Sequence, residues 1–248
     1  MQNNSLQLLH HGKRPDAALR LFCFPYAGGD ALVFRRWPES LPGNVDVCTI
    51  ELTGRAKFAA CARDDTPAEM LSRMERALLL HLERPYALLG YSVGALMGFL
   101  LAQRLQAGGQ ALPRALFVVA HRAPQLPRRR PALHELSDAA LIRALAELAG
   151  TPAEVLGNRE MLEMYLPRLR ADLRFSEAYC HQEGPALRCP IFAFGGIDDP
   201  EVSETELAAW RDQTSAEFKL TMLAGNHFFL HDHVERIAAD IVRAFAAS

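Results

Sequence analysis

The chain has 248 residues, half of them hydrophobic, which suffices for one large α/β domain or two small ones. Its formal net charge of −2 excludes the basic excess of a nucleic-acid binder. Five scattered cysteines, with no C-x-x-C pair, exclude a zinc ribbon and a disulfide scaffold.

In chain order, short apolar runs alternate with helical patterns. The runs are "LFCF" (21–24), "VDVCTIEL" (45–52), "YALLGY" (86–91), "ALFVVA" (115–120), "PIFAFGG" (190–196) and "FKLTMLA" (218–224). Their length and their Gly or Pro boundaries predict parallel strands buried on both faces. A helix is predicted over 68–83, where Met70, Leu71, Met74, Leu78 and Leu82 recur near the helical period. Residues 93–107 are apolar nearly all round, as in a helix packed centrally on a sheet. A last helix over about 232–246 carries Val234, Ile237, Ala238, Ile241, Val242 and Phe245 on one stripe. The alternation predicts one domain spanning residues 1–248: a mostly parallel sheet with helices on both faces. Residues 122–188 interrupt it with a Pro- and Arg-rich start and helical patterns at 137–149 and 159–180. A helical lid inserted between two core strands is expected there. The N-terminus has no signal-peptide core and no apolar run reaches the length of a membrane span, so a cytoplasmic protein is expected.

The stretch "LLGYSVGA" places Ser92 between Gly90 and Gly94, where a strand runs into a helix. This is the context of a G-x-S-x-G nucleophile elbow: a tight turn projects the hydroxyl over a helix N-terminus, whose free N–H groups favour negative charge. The matching order of partners is Ser, then Asp or Glu, then His. Asp198 and Asp199 both follow the strand "IFAFGG", and His227 follows "FKLTMLA" directly. An oxyanion hole needs the N–H of Val93, after the serine, and one from the loop after the first core strand, "FPYAGGD", with Ala27 or Tyr26 as donor. His227 and His231 have i, i+4 spacing but no Glu between them for an H-E-x-x-H site, so no metal or other cofactor is expected.

Together with "LFCFPYAGGDALVFRRW", "VDVCTIELTGRAKF" and "HRAP", these segments resemble the type II thioesterases that accompany modular polyketide synthases and nonribosomal peptide synthetases. The resemblance covers nearly the whole chain. It implies an α/β-hydrolase fold with Ser92 as nucleophile, Asp199 as acid, His227 as base, and Ala27 and Val93 as oxyanion donors. It further implies hydrolysis of acyl thioesters on the phosphopantetheine arm of acyl- or peptidyl-carrier proteins, by a monomer; a general carboxylesterase or acyltransferase is the alternative. The run Arg128–Arg130 is a candidate contact for an acidic carrier protein or for the phosphate of the arm. Three positions depart from the family pattern: Tyr91 stands where His is common, Gly225-Asn226 where two glycines are common, and His121 where a small or polar residue is expected.

Overall fold

The computed structural model describes residues 6–12, 14–52, 66–129, 131–147 and 158–246. Cys61, Arg130, the "TGRAKF" part of the second motif and the end of the 137–149 helix lie outside the described residues.

The strands are β1 (Leu6–His11), β2 (Leu19–Phe24), β3 (Val45–Leu52), β4 (Tyr86–Tyr91), β5 (Leu116–Val119), β6 (Ile191–Gly196) and β7 (Phe218–Leu223). They form one sheet in the order β1-β3-β2-β4-β5-β6-β7. The six apolar runs all become strands, and from β3 to β7 every pairing is parallel. β1, for which the sequence carries no strong signal, is added antiparallel to β3 at the edge. "LQLLHH" is short and polar-flanked, and its pairing comes from the open edge of β3 rather than from its own pattern.

The helices are α1 (Trp37–Ser40), α2 (Pro67–Leu79), α3 (Val93–Ala107), α4 (Asp138–Glu147), α5 (Arg159–Glu177), α6 (Glu204–Ala208) and α7 (Val234–Ala246). α2 opens on a capping box: Thr66 accepts from Glu69 N, and the Glu69 carboxylate accepts from Thr66 N. It ends before Leu82, which nevertheless packs against the same core.

Alternation along the strands sorts the core into two layers. Phe22, Phe24 and Leu88 point to the face covered by α2 and α3. Leu21, Cys23, Leu89 and Tyr91 point to the face covered by Trp37 of α1 and by α7. α3 is central: ten of its residues are buried, which explains its lack of a polar face. Between β5 and β6, α4 and α5 build a third apolar cluster from Leu141, Leu145, Leu162, Leu166 and Leu169. No strand lies among the described residues of this segment. No helix among the described residues is long and apolar enough to cross a membrane.

The connection β2→β3 runs outward and β4 returns to the other side of β2. The chain thus reverses direction across the sheet between β2 and β4, and the crevice at their carboxyl ends is where open α/β sheets place ligands.

Candidate active site

Ser92 lies in that crevice. It is the N-cap of α3 and has φ 53° and ψ −121°, a backbone region that costs a non-glycine residue about 1–3 kcal/mol. The neighbouring glycines make the turn possible. A Cβ on Gly90 would collide with the backbone of Gly94 and Ala95, and one on Gly94 with the Phe24 carbonyl. Ser92 N donates to Val119 O at 2.7 Å, which ties the elbow to the end of β5.

His227 follows β7. Its loop lies against the end of β6, where a Cβ on Gly196 would strike the carbonyls of Gly225 and Asn226. The imidazole donates from Nδ1 to Asp199 Oδ2 at 2.8 Å, leaving Nε2 to accept from Ser92 Oγ at 3.2 Å. Asp199 is held by its own loop: Oδ1 accepts from Glu201 N at 2.8 Å and Val202 N at 3.3 Å, and its side chain is fully buried. Of the two carboxylates the sequence left open, Asp199 reaches the imidazole, whereas Asp198 is exposed and engages Gly225 O through its backbone N–H.

A cavity of about 210 Å³ opens over Ser92, with Ala27, Val93, His227 and Phe228 along its floor. Leu145, Tyr165, Leu169 and Leu173 of the helical insertion, which belong to or pack on the third apolar cluster, line it as well. Val93 is the first residue of α3, whose opening N–H groups have no acceptor within the helix. Ala27 faces it from the loop after β2. Tyr26 also borders the cavity, and its ring makes edge-on contacts with Tyr91 and Phe228, each at 5.2 Å between centroids.

Two residues that departed from the family pattern take up structural positions beside this line. Tyr91, fully buried, donates its hydroxyl to the His227 backbone carbonyl at 2.7 Å. Burial, reinforced by Tyr26 and the charge of Asp199, pushes its phenol far above the usual range, so it remains a donor. His121 is buried on the cavity wall. Its Nδ1 donates to Arg122 O at 2.7 Å and its Nε2 accepts from Ser176 Oγ of α5 at 3.2 Å. Burial and the adjacent Arg122 lower its pKa to about 3, so it is neutral near pH 7. Neither contact is visible in the sequence, because each joins residues far apart in the chain or depends on burial.

Of the arginine run, Arg128 stands exposed at the cavity rim, while Arg129 is taken up by Glu206 at 2.7 Å and Ser203 at 2.9 Å. Among the described residues one group has the spacing of metal ligands: His10, Asp46 and Cys48. It lies on β1 and β3, away from the serine, and Arg20 Nε already occupies Asp46 Oδ2 at 3.1 Å. His227 and His231 do not form such a group among the described residues.

The chain matches the thioesterase domain family over residues 19–245. Linear gramicidin dehydrogenase LgrE of Brevibacillus parabrevis is 41% identical, over 91% of this chain and 87% of that one. Thioesterase PikA5 of Streptomyces venezuelae is 34% identical, over 92% of this chain and 81% of that one. The type II thioesterase BorB from the borrelidin biosynthetic cluster superposes with a TM-score of 0.86 at 34% identity, covering 96% of each chain. LgrE carries a dehydrogenase name, but the family match and the other two likenesses are thioesterases. The chain belongs to the thioesterase family and is a thioester hydrolase built on the α/β-hydrolase fold.

Proposed function

We propose that this enzyme hydrolyses acyl groups from the phosphopantetheine arm of acyl- or peptidyl-carrier proteins, clearing stalled or wrongly primed polyketide or nonribosomal peptide assembly lines. The observation that carries the reading is the unbroken hydrogen-bonded line Ser92–His227–Asp199 on the floor of an apolar cavity. The borrelidin cluster named for BorB and the NRPS/PKS pathways named for ClbQ and for the type II thioesterase YbtT support a carrier-bound substrate class.

The steps follow from the geometry. Ser92 Oγ attacks the thioester carbonyl as its proton passes to His227 Nε2. Asp199 fixes the tautomer that leaves Nε2 free and stabilises the imidazolium that forms. The N–H groups of Val93 and Ala27 bind the oxyanion of the tetrahedral intermediate. Collapse breaks the C–S bond, His227 returns the proton to the leaving thiol, and an acyl-serine remains. Water, deprotonated by His227, attacks this ester; the acid leaves and Ser92 regains its proton.

A panel of acyl-carrier proteins followed by intact-protein mass spectrometry tests the proposal. The expected result is loss of the acyl mass with the free phosphopantetheine thiol retained, and no loss above background with Ser92→Ala. Faster turnover of simple esters, with carrier-bound thioesters untouched, would make the enzyme a general carboxylesterase. An acyl group recovered on an added alcohol or amine would make it an acyltransferase.

A further inference from the structure

α5 touches the loop after β2 at three points. Asp172 Oδ2 accepts from Gly28 N at 2.9 Å, Arg168 donates to Gly29 O, and the Tyr165 hydroxyl fills the space that a Cβ on Gly28 would need. Asp172 is the unexpected member. Its helix buries Leu162, Leu166, Leu169 and Phe175, yet on the same inward side stands a carboxylate only 1% exposed. A buried charge is costly unless it is bound, so its position calls for a specific partner.

One of its partners lies in a turn. Gly29 N donates to Tyr26 O at 2.9 Å across residues 26–29, and Gly28 has φ +75°. A positive φ at the third residue marks a type II turn. Types I and II differ in the orientation of the central peptide, here the one between Ala27 and Gly28. The N–H of that peptide is the group Asp172 holds. The carboxylate therefore holds that peptide in its type II orientation and ties the turn, with Ala27 at its second position, to α5.

We infer that Asp172 is a positioning residue that supports the oxyanion hole from the lid helix: by binding Gly28 N–H it holds in place the turn that carries the N–H of Ala27. This rests on the reading of Ala27 as an oxyanion donor and Ser92 as the nucleophile. Its consequence is that the insertion lining the acyl cavity also sets the catalytic rate, even for a substrate too small to fill that cavity.

The experiment compares the wild type, Asp172→Ala and Asp172→Asn with a short acyl thioester of N-acetylcysteamine. Alongside it, two inhibitors are titrated: an acyl trifluoromethyl ketone, which captures the serine as an oxyanion adduct, and the matching thioether, which cannot react. Misaiming one donor by an ångström-scale shift is expected to lower kcat of Asp172→Ala by roughly 10- to 100-fold, with KM within about threefold. Affinity for the ketone should fall by a similar factor and affinity for the thioether should not change. Asp172→Asn, whose amide oxygen still accepts from Gly28 N, should recover kcat to within about threefold of the wild type. If the alanine variant does not fold by circular dichroism, Asp172→Ser, too short to reach Gly28 N, takes its place. An unchanged kcat, an equal loss of ketone and thioether affinity, or an asparagine variant no better than alanine would overturn the inference while leaving the nucleophile intact. A ketone that binds Ser92→Ala as tightly as the wild type would instead overturn the site reading, and this inference with it.

Discussion

At the scale of single residues, Tyr91 and His121 carry more than their sequence neighbourhood announces. The Tyr91 hydroxyl is the described side-chain donor to the carbonyl of the residue that supplies the imidazole, and both groups are buried. Tyr91→Phe leaves that carbonyl without the hydroxyl, at a cost of about 1–3 kcal/mol. Thermal unfolding should therefore move down by several degrees, and kcat should fall severalfold with KM unchanged as the His227 backbone loosens; identical melting and kcat would show the contact to be idle. His121 gives a pH dependence whose sign is fixed. Its pKa falls from the ordinary 6.5 to about 3 on folding, chiefly through burial and then through Arg122, with His227 adding in the same direction. Between those values the unfolded chain binds a proton that the native chain refuses, so stability is fully present above pH 6.5 and is lost as the pH drops toward 3. Urea unfolding at intervals from about pH 7.5 to 4.5 should show this decline, and His121→Asn should flatten it by up to one proton's worth of slope. Equal slopes in the two proteins would assign the acid sensitivity elsewhere.

At the scale of elements, legibility followed how local each signal is. The core strands β2 to β6 were readable because burial on both faces forces continuous apolar runs, and α3 because a helix buried all round has no polar stripe to lose; β7, expected to be buried in the same way, is the half-exposed edge strand. β1 was not readable: its six residues gain their structure from the open edge of β3, a partner some forty positions away in sequence, which no local pattern encodes. The elbow was legible because Gly90, Ser92 and Gly94 are close in sequence and each answers a steric demand within the turn itself. The Asp198/Asp199 ambiguity was not resolvable locally, since adjacent turn residues differ only in direction. What separates them is the capture of Asp199 Oδ1 by Glu201 N and Val202 N, which turns Oδ2 toward His227. Asp172 had a signal that went unread: a charged residue on the inward side of the Leu162–Leu166–Leu169 helix is a local inconsistency, and such inconsistencies gather at functional sites.

At the scale of the whole molecule, the sheet carries the serine, imidazole and carboxylate, and the insertion between β5 and β6 lines the cavity over them. The serine, imidazole and carboxylate come from the carboxyl ends of β4, β7 and β6, and α4 and α5 contribute to the cavity lining. Under the proposed function a carrier protein delivers its acyl group past the cavity lining, to which Arg122, Arg128 and Arg129 belong. They are not equivalent there. Arg129 is neutralised by Glu206, and Arg122 is half-buried and lends its Nε to Leu126 O at 3.2 Å. Arg128 is exposed and sits between them in the cavity lining, which leaves it the arginine of the three best placed to meet an acidic surface. An exposed charge at a docking rim acts mainly on association rate, and its effect fades with salt. Arg128→Glu should accordingly lower kcat/KM for an acyl-carrier protein by roughly tenfold at low ionic strength. The deficit should shrink as salt is raised, while turnover of the free N-acetylcysteamine thioester, which presents no acidic protein surface, stays at the wild-type value. Arg129→Glu should behave differently, because it sets a carboxylate beside the buried Glu206 and so lowers thermal stability along with activity on both substrates. Equal losses on carrier-bound and free thioester in the Arg128 variant would show that the arginine shapes the cavity and does not receive a partner.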